Sequence, residues 1–352
     1  MTGKDLLLSK IRPVTPQDAD KLRRFSYSGL SVFKQCPYQF DLKYNKRLVS
    51  LEKTLALELG TLLHYVLEQK GKMLTGEYVY ENGCKTNGIA NYNVLSSILQ
   101  NGTSSTDEKT KEKVLGLRDL KKKYWEVWGI PDSEGRTYEQ KIELFLKVLS
   151  SEMEDSDWKP YLFEHPFEFV YDDKIILHGF IDRVDIKTNI DKENTRDIYR
   201  VVDYKTNKKL YDQKDLATSL QFGIYALAIL NEFGEVPDEY QYRMILLDER
   251  QKALTLGWEK RLITALDKII KGLDERKESG VWEPKPTPLC HWCNYCATNP
   301  DAKQYKTECA FYSLWTPDNK VFTVNQPFND TNKGLYNNAN VTVDKTRRTV
   351  IF

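Results

Sequence analysis

The chain has 352 residues, 52 of them basic and 51 acidic, for a formal net charge of +1. That length can bury a sizeable core as one elaborated domain or two, while the balanced charge excludes a global attraction to nucleic acid, so any such binding needs a local patch. No run approaches the roughly 18 apolar residues of a membrane span and no apolar h-region opens the chain, so the expectation is a soluble cytoplasmic protein with no membrane contact.

Residues 1–25 are charged, carry Pro13 and Pro16, and read as a loosely attached lead-in. In the following SYSGLSVFKQCPYQFDLKY, Ser26 or Ser28 can cap a helix with Leu30, Phe33, Phe40 and Leu42 as its apolar positions. Pro37 restarts that helix immediately after Cys36. Read alone, Cys36 is either a small buried hydrophobe or a ligand. Residues 53–70 pattern as an amphipathic helix, with Leu59, Leu62, Leu63, Val66 and Leu67 inward and His64 beside that face. Gly60, one turn before His64, permits close approach of another backbone.

Residues 71–160 change character. A Gly/Asn-rich stretch and a Ser/Thr turn precede a Lys-rich helix over Lys109–Lys123 and a helical run over about Tyr138–Glu154, together a helical insertion. Lys121, Lys122 and Lys123, followed by Tyr124, Trp125 and Trp128, either track a nucleic-acid backbone with stacking aromatics or form a solvated helical face. Cys84 matches no pattern.

From residue 161 the chain alternates apolar and polar, the mark of strands, and Asp172-Asp173 signals a hairpin turn. The next two strands are expected over Leu177–Ile186 and Ile198–Lys205, joined by the polar loop Thr188–Arg196. Alternation puts Asp182 on one face with Phe180 and Val184, Arg183 and Asp185 on the other, and Asp203 with Lys205 and Val201 on one face. Acids in such apolar settings are costly unless paired or bound to a cation. Asp182 and Asp203 therefore point to a divalent metal between them, with the Lys205 ammonium beside it. Oxygen ligands suit Mg²⁺ or Mn²⁺; read alone, His64 is either a satisfied structural histidine of its helix or a further ligand. Residues 211–232 form a helix that is apolar nearly all round, with Gln221 and Tyr225 four apart on one stripe. A strand in YQYRMILLDE and a charged amphipathic helix over 258–279 follow.

Of six cysteines, four lie between Cys290 and Cys309. Cys290-x-x-Cys293 with Cys296 and Cys309 behind it indicates a metal site, either a four-cysteine zinc site or part of a cluster. No Walker-type phosphate loop occurs, so the chain itself is not expected to hydrolyse ATP. Residues 316–352 are Asn-rich, with weak strand patterning and no evident chemistry.

The pieces LGTLLH, GFIDRVD, VVDYKT and QFGIY, in that order, resemble the PD-(D/E)XK nuclease superfamily, and more closely its RecB/AddB-like branch. The resemblance covers roughly residues 26–70 and 160–315, and leaves 71–160 and the tail unexplained. It implies an α/β, restriction-endonuclease-like core: a mixed central sheet flanked by helices over residues 26–315, carrying the insertion at 71–160 and a cysteine segment at 281–315. It implies metal ligation by His64, Asp182 and Asp203, catalysis by these with Lys205, and active-site support from Gln221 and Tyr225. Ser-Val-Phe-Lys-Gln-Cys-Pro at 31–37 resembles the segment that, in several RecB-like nucleases, supplies one ligand of a 4Fe–4S cluster. By that likeness Cys36, Cys290 and Cys293 are ligands and Cys309 the fourth, with Cys296 the alternative. The implied cluster is structural, stapling two distant parts of the chain so that single-stranded DNA threads past the active site.

The implied function is Mg²⁺- or Mn²⁺-dependent hydrolysis of DNA, as a single-strand-specific exonuclease in repair, recombination or viral DNA metabolism, with any helicase a separate polypeptide. Two alternatives stay open: a zinc-stabilised structure-specific endonuclease and a non-catalytic DNA-binding protein of the same fold.

Overall fold

The computed structural model describes residues 2–49, 53–80, 83–103, 113–155, 157–190, 195–254, 257–285, 287–296, 299, 304–305 and 309, and four short strands beyond 310. In chain order the helices are α1 (Gly3–Leu8), α2 (Pro16–Lys21), α3 (Tyr27–Gln35), α4 (Pro37–Phe40), α5 (Leu55–Leu74), α6 (Tyr92–Asn101), α7 (Leu117–Lys123), α8 (Trp125–Trp128), α9 (Tyr138–Ser151), α10 (Gln213–Ala217), α11 (Leu220–Phe233) and α12 (Trp258–Ser279). The strands are β1 (Ile11–Arg12), β2 (Arg23–Phe25), β3 (Lys159–Tyr171), β4 (Ile175–Ile190), β5 (Thr195–Lys205), β6 (Glu239–Met244), β7 (Glu249–Lys252), β8 (Phe311–Ser313), β9 (Phe322–Val324), β10 (Thr342–Asp344) and β11 (Thr349–Ile351). The chain divides into two compact units, one of residues 1–24 and 53–263, the other of 25–52 and 264–352.

The first unit is built on a mixed sheet of seven strands in the order β1-β3-β4-β5-β6-β7, with β2 set against β4. β3, β4 and β5 form the expected antiparallel meander. At its first turn Asp172 and Asp173 both have left-handed φ, +50° and +53°, and Lys174 N–H returns to Tyr171 O at 3.1 Å. β5 and β6 run parallel, which requires a crossover. α11 supplies it, starting where Ser219 accepts from Phe222 N–H at 3.3 Å. Its residues from Leu220 to Leu230 are all buried, as its all-round apolar sequence requires. The helix expected over 211–232 is in fact two, α10 and α11, because the chain breaks at Thr218 and Ser219 caps the second.

α5 begins at an N-cap, Thr54, that accepts from Leu57 N–H at 3.3 Å. Its leucine stripe joins Val202 and Tyr204 of β5 and Phe145 and Val148 of α9 in one core. Gly71 lets it lie on β3, since a Cβ there would fall 2.0 Å from the Phe163 ring. Gly60 faces the side chain of Thr206, whose Oγ1 would lie 3.2 Å from a Cβ, and not a second backbone as expected.

Three other expectations are corrected. The lead-in is no loose arm: Leu7 is fully buried, β1 pairs with β3, and Arg12 grips Asp18 at 2.6 Å and Asp173 at 2.6 Å. The Lys-rich helix starts only at Leu117, since Leu115 forms a bridge with Gly102 and residues 104–112 lie outside the described residues. The loop expected over Thr188–Arg196 is shorter, because β4 and β5 run on to Ile190 and from Thr195, and residues 191–194 lie outside the described residues.

In the second unit Ser26 caps α3, accepting from Gly29 N–H at 3.2 Å, and α4 restarts at Pro37 as the sequence implies. Phe33, Phe40 and Trp282 pack ring to ring, with centroids 5.6 to 6.3 Å apart. β8 to β11 form an antiparallel sheet. No helix among the described residues is long and apolar enough to cross a membrane.

Candidate metal and nuclease centre

The site lies where the central strands part. The β4–β5 ladder ends at Arg183↔Val202, so Asp182 and Asp203, which would pair next, sit beyond it. Asp203, Tyr204 and Lys205 stay bonded to β6 alone. In place of the lost ladder bond, Tyr204 N–H donates to Asp182 Oδ2 at 2.8 Å.

On the other side of β4 the register passes from Phe163↔Arg183 to His165↔Ile181, which sets Glu164 opposite Asp182. Glu164 has left-handed φ, +43°, so the backbone kinks at this position. Directly opposed carboxylates are destabilising. His64 Nδ1 is 3.5 Å from Asp182 Oδ2, and ligand atoms of His64, Glu164 and Asp182 all lie within 4.8 Å of one another.

Glu164 was not singled out in the sequence, where it resembles any polar residue of an alternating strand. The signal was in the register: the ladder starts at Tyr171↔Ile175, and counting back from that pair brings Glu164 to Asp182.

Asp203 is 1% exposed and lies to the side of that trio. Its Oδ1 accepts from Gln221 Nε2 at 2.7 Å and from the Tyr225 hydroxyl at 3.3 Å. Its Oδ2 abuts the Lys205 ammonium but accepts no geometrically sound hydrogen bond. Lys205 Nζ donates to Gln221 Oε1 at 3.1 Å, and Gln221 Nε2 also reaches the Tyr225 hydroxyl at 2.9 Å. The expected stripe on α11 thus holds both Asp203 and Lys205.

Electrostatics agree with a cation site. Burial, then the charges of Asp203 and Glu164, push the Asp182 carboxyl well above its ordinary value. Burial also raises Asp203, against the pull of Lys205. Burial works against the Lys205 ammonium, yet the charges of Asp203 and Asp182 prevail and its pKa rises. Two acids held above their ordinary range, with a third opposite, favour a bound cation or a proton. The donor set of two carboxylates and an imidazole, with the unbonded Asp203 Oδ2 nearby, fits Mg²⁺ or Mn²⁺. His64 and Glu164 line a cleft of about 890 Å³, solvent space included, whose walls also include Leu57, Thr61, Tyr65, Lys205 and Asn207.

The insertion's aromatic and basic residues separate. Trp128 is buried, stacked on Tyr138 at 5.7 Å. Tyr124 and Lys123 both bond Glu58 of α5, at 2.6 and 2.9 Å. Trp125 is 71% exposed.

In the second unit Cys36, Cys290, Cys293, Cys296 and Cys309 line one pocket with Tyr38 and Tyr295. Cys36 Sγ accepts from Gln39 N–H at 3.5 Å and Lys285 N–H at 3.3 Å, and Cys290 Sγ from Thr287 N–H at 3.4 Å. Cys296 lies within hydrogen-bond reach of Cys290, Cys293 and Cys309. The bond from Cys296, aided by Thr287 N–H against burial, lowers Cys290 to about 7, whereas burial lifts Cys36 to about 11. Converging thiols bonded by main-chain N–H groups fit a thiolate-ligated metal or cluster. Cys84 is exposed and belongs to neither site.

Residues 24–298 match the family model of the PD-(D/E)XK nuclease superfamily. The chain is 25% identical over 289 residues to an ATP-dependent helicase/deoxyribonuclease subunit from Clostridium perfringens strain 13, covering 73% of this chain and 23% of that protein. The same protein from strain ATCC 13124 gives the same values, and that of strain SM101 is 24% identical over 294 residues with the same shares. This chain therefore spans about a quarter of the length of the curated relatives it matches. The mixed sheet, the acids at its parted strands, the lysine two residues after Asp203 and the family match over most of the chain agree: this chain belongs to the PD-(D/E)XK nuclease superfamily.

Proposed function

We propose that the chain is a divalent-metal-dependent nuclease that hydrolyses phosphodiester bonds in single-stranded DNA from an end. The observation that carries this reading is the convergence of His64, Glu164 and Asp182 within 4.8 Å, with His64, Glu164 and Lys205 lining one cleft. His64, Glu164 and Asp182 would hold Mg²⁺ or Mn²⁺, with Asp203 Oδ2 available from the side. Such an ion acidifies water and polarises a phosphate oxygen. Lys205, kept cationic by Asp203 and oriented by Gln221, steers the attacking water and offsets charge that develops at phosphorus. Tyr225 and Gln221 keep Asp203 turned toward Lys205. The relatives' name, a helicase/deoxyribonuclease subunit, supports DNA as substrate and a helicase as working partner.

Digestion of 5′- and 3′-end-labelled single-stranded, duplex and circular DNA with Mg²⁺, Mn²⁺ or EDTA tests the reading. Release of mononucleotides or short oligonucleotides from linear single strands, abolished by EDTA, is expected. Equal cutting of circles would assign an endonuclease, and no cleavage of any DNA would overturn the reading.

For the cysteines we propose a structural 4Fe–4S cluster held by Cys36, Cys290, Cys293 and Cys309. The reach of Cys296 to Cys290, Cys293 and Cys309 favours a second reading, zinc on those four with Cys36 as a buried thiol. Iron, sulfide and zinc content of anaerobically purified protein decides between them: brown protein with iron and sulfide supports the cluster, colourless zinc protein the alternative.

A further inference from the structure

The sheet face opposite Asp182 carries a buried ion network that hydrolysis does not use. Arg183 donates to both oxygens of Asp185, at 2.6 and 2.7 Å, and through Nη1 to Glu152 Oε1 at 2.7 Å and to the Tyr204 hydroxyl at 2.9 Å. The other Glu152 oxygen accepts from Arg243 Nε at 2.8 Å and Arg250 Nη2 at 3.0 Å. Arg183 and Glu152 are at most 1% exposed. Burying that many charges is not an efficient route to stability, since apolar residues of similar volume often serve as well.

Tyr204 is where this network meets the site. It stands between Asp203 and Lys205 and points to the other face. Its N–H supplies the bond to Asp182 Oδ2, and its ring meets His64 edge-on with centroids 5.9 Å apart. A single residue thus touches two of the three convergent ligands, and its hydroxyl is held by Arg183. Glu152, which fixes Arg183, is the C-cap of α9 in the helical insertion. Lys70 of α5 secures the same turn, donating to Leu149 O at 2.7 Å and Glu152 O at 2.6 Å.

We propose that Tyr204 is a positioning residue: anchored through its hydroxyl to the Arg183–Glu152 pair, it sets the places of Asp182 and His64, so that the insertion reaches the metal site through a phenol. The inference rests on the metal-site reading above. Its test is Mn²⁺ binding by electron paramagnetic resonance and calorimetry, well below the melting midpoint, for wild type, Tyr204→Phe, Glu152→Gln and Asp182→Asn. Tyr204→Phe removes one hydroxyl and is expected to fold. Its Mn²⁺ dissociation constant should rise about tenfold, the lower end of what losing a ligand's own hydrogen-bond partner costs because the hydroxyl acts one residue further out, with Glu152→Gln moving it in the same direction. A role in stability alone would lower the melting temperature and leave Mn²⁺ affinity in place. A Tyr204→Phe constant within about twofold of wild type, while Asp182→Asn loses binding, overturns the inference and spares the metal site. Wild-type protein that binds no Mn²⁺, or Asp182→Asn that binds it as wild type does, overturns both.

Discussion

Glu164 and Asp182 oppose each other across a strand ladder, and two carboxylates so placed repel unless a cation or a proton lies between them. In the metal-free protein burial, then the charges of Asp203 and Glu164, raise the Asp182 pKa. A carboxyl that holds its proton more tightly in the folded chain stabilises the fold below its unfolded value, near 4, and that stability is lost as pH rises through the folded value. In EDTA, Asp182→Asn should therefore melt above wild type at pH 8 and converge with it near pH 4. A melting temperature below wild type at both pH values would contradict this account of Asp182. Glu164→Gln removes a proposed ligand and should weaken Mn²⁺ binding by more than the about 10- to 100-fold that loss of a ligand's own hydrogen-bond partner costs, measured by calorimetry. Asp182, Asp203, Lys205 and the Gln221–Tyr225 stripe were legible in sequence because period-2 and period-3.6 spacing place side chains on faces. Glu164 was not, because its meaning depends on a cross-strand register and a kinked φ that no local pattern carries.

At the scale of elements, the site exists because β4 and β5 part at one end while buried side chains on both faces hold them. On one face α11 presents Gln221 and Tyr225. On the other Arg183, Arg243 and Glu152 lock β4, β6 and the end of α9 together. Arg183→Met leaves Glu152 with Arg243 and Arg250 and Asp185 with Arg200, but strips one buried hydrogen-bonded partner from each acid and from the Tyr204 hydroxyl, and should destabilise by about 1–3 kcal/mol in urea unfolding. The close approach of α5 to β3 depends on Gly71, and Gly71→Leu, driven into the Phe163 ring, should cost at least about 1–3 kcal/mol on the same scale. The helices and strands themselves follow from caps and patterning that the sequence displays, such as Thr54, Ser219 and the leucine stripe of α5. Arg183 and Asp185 were also readable as residues of one face. Glu152, the partner of Arg183, lies 31 residues earlier, in a helix end that reads as surface, and such long-range ion pairing leaves no local trace.

At the scale of the whole molecule, the chain is two units with separate chemistry. The candidate metal centre belongs wholly to the first. The cysteine pocket belongs to the second, where residues 25–52 and 264–352 meet. Grouping Cys36 with cysteines over 250 positions away came from resemblance to a family segment, since spacing alone cannot join them, and the pocket brings all five thiols together. With a cluster bound, Cys36→Ser should lose most of its iron and melt at a lower temperature. Full iron and sulfide with wild-type melting would remove Cys36 from the ligand set.

Whether His64, Glu164 and Asp182 with Lys205 form a centre that cuts phosphodiester bonds is open to one decisive assay. Cleavage of linear end-labelled single-stranded DNA at saturating Mn²⁺, by wild type and by Lys205→Ala, tests it most directly. The account predicts metal-dependent cleavage by wild type and a loss of about 10²–10³-fold or more in Lys205→Ala, with its fold intact by circular dichroism. Undiminished cleavage by folded Lys205→Ala, or wild-type cleavage that persists in EDTA, would contradict it.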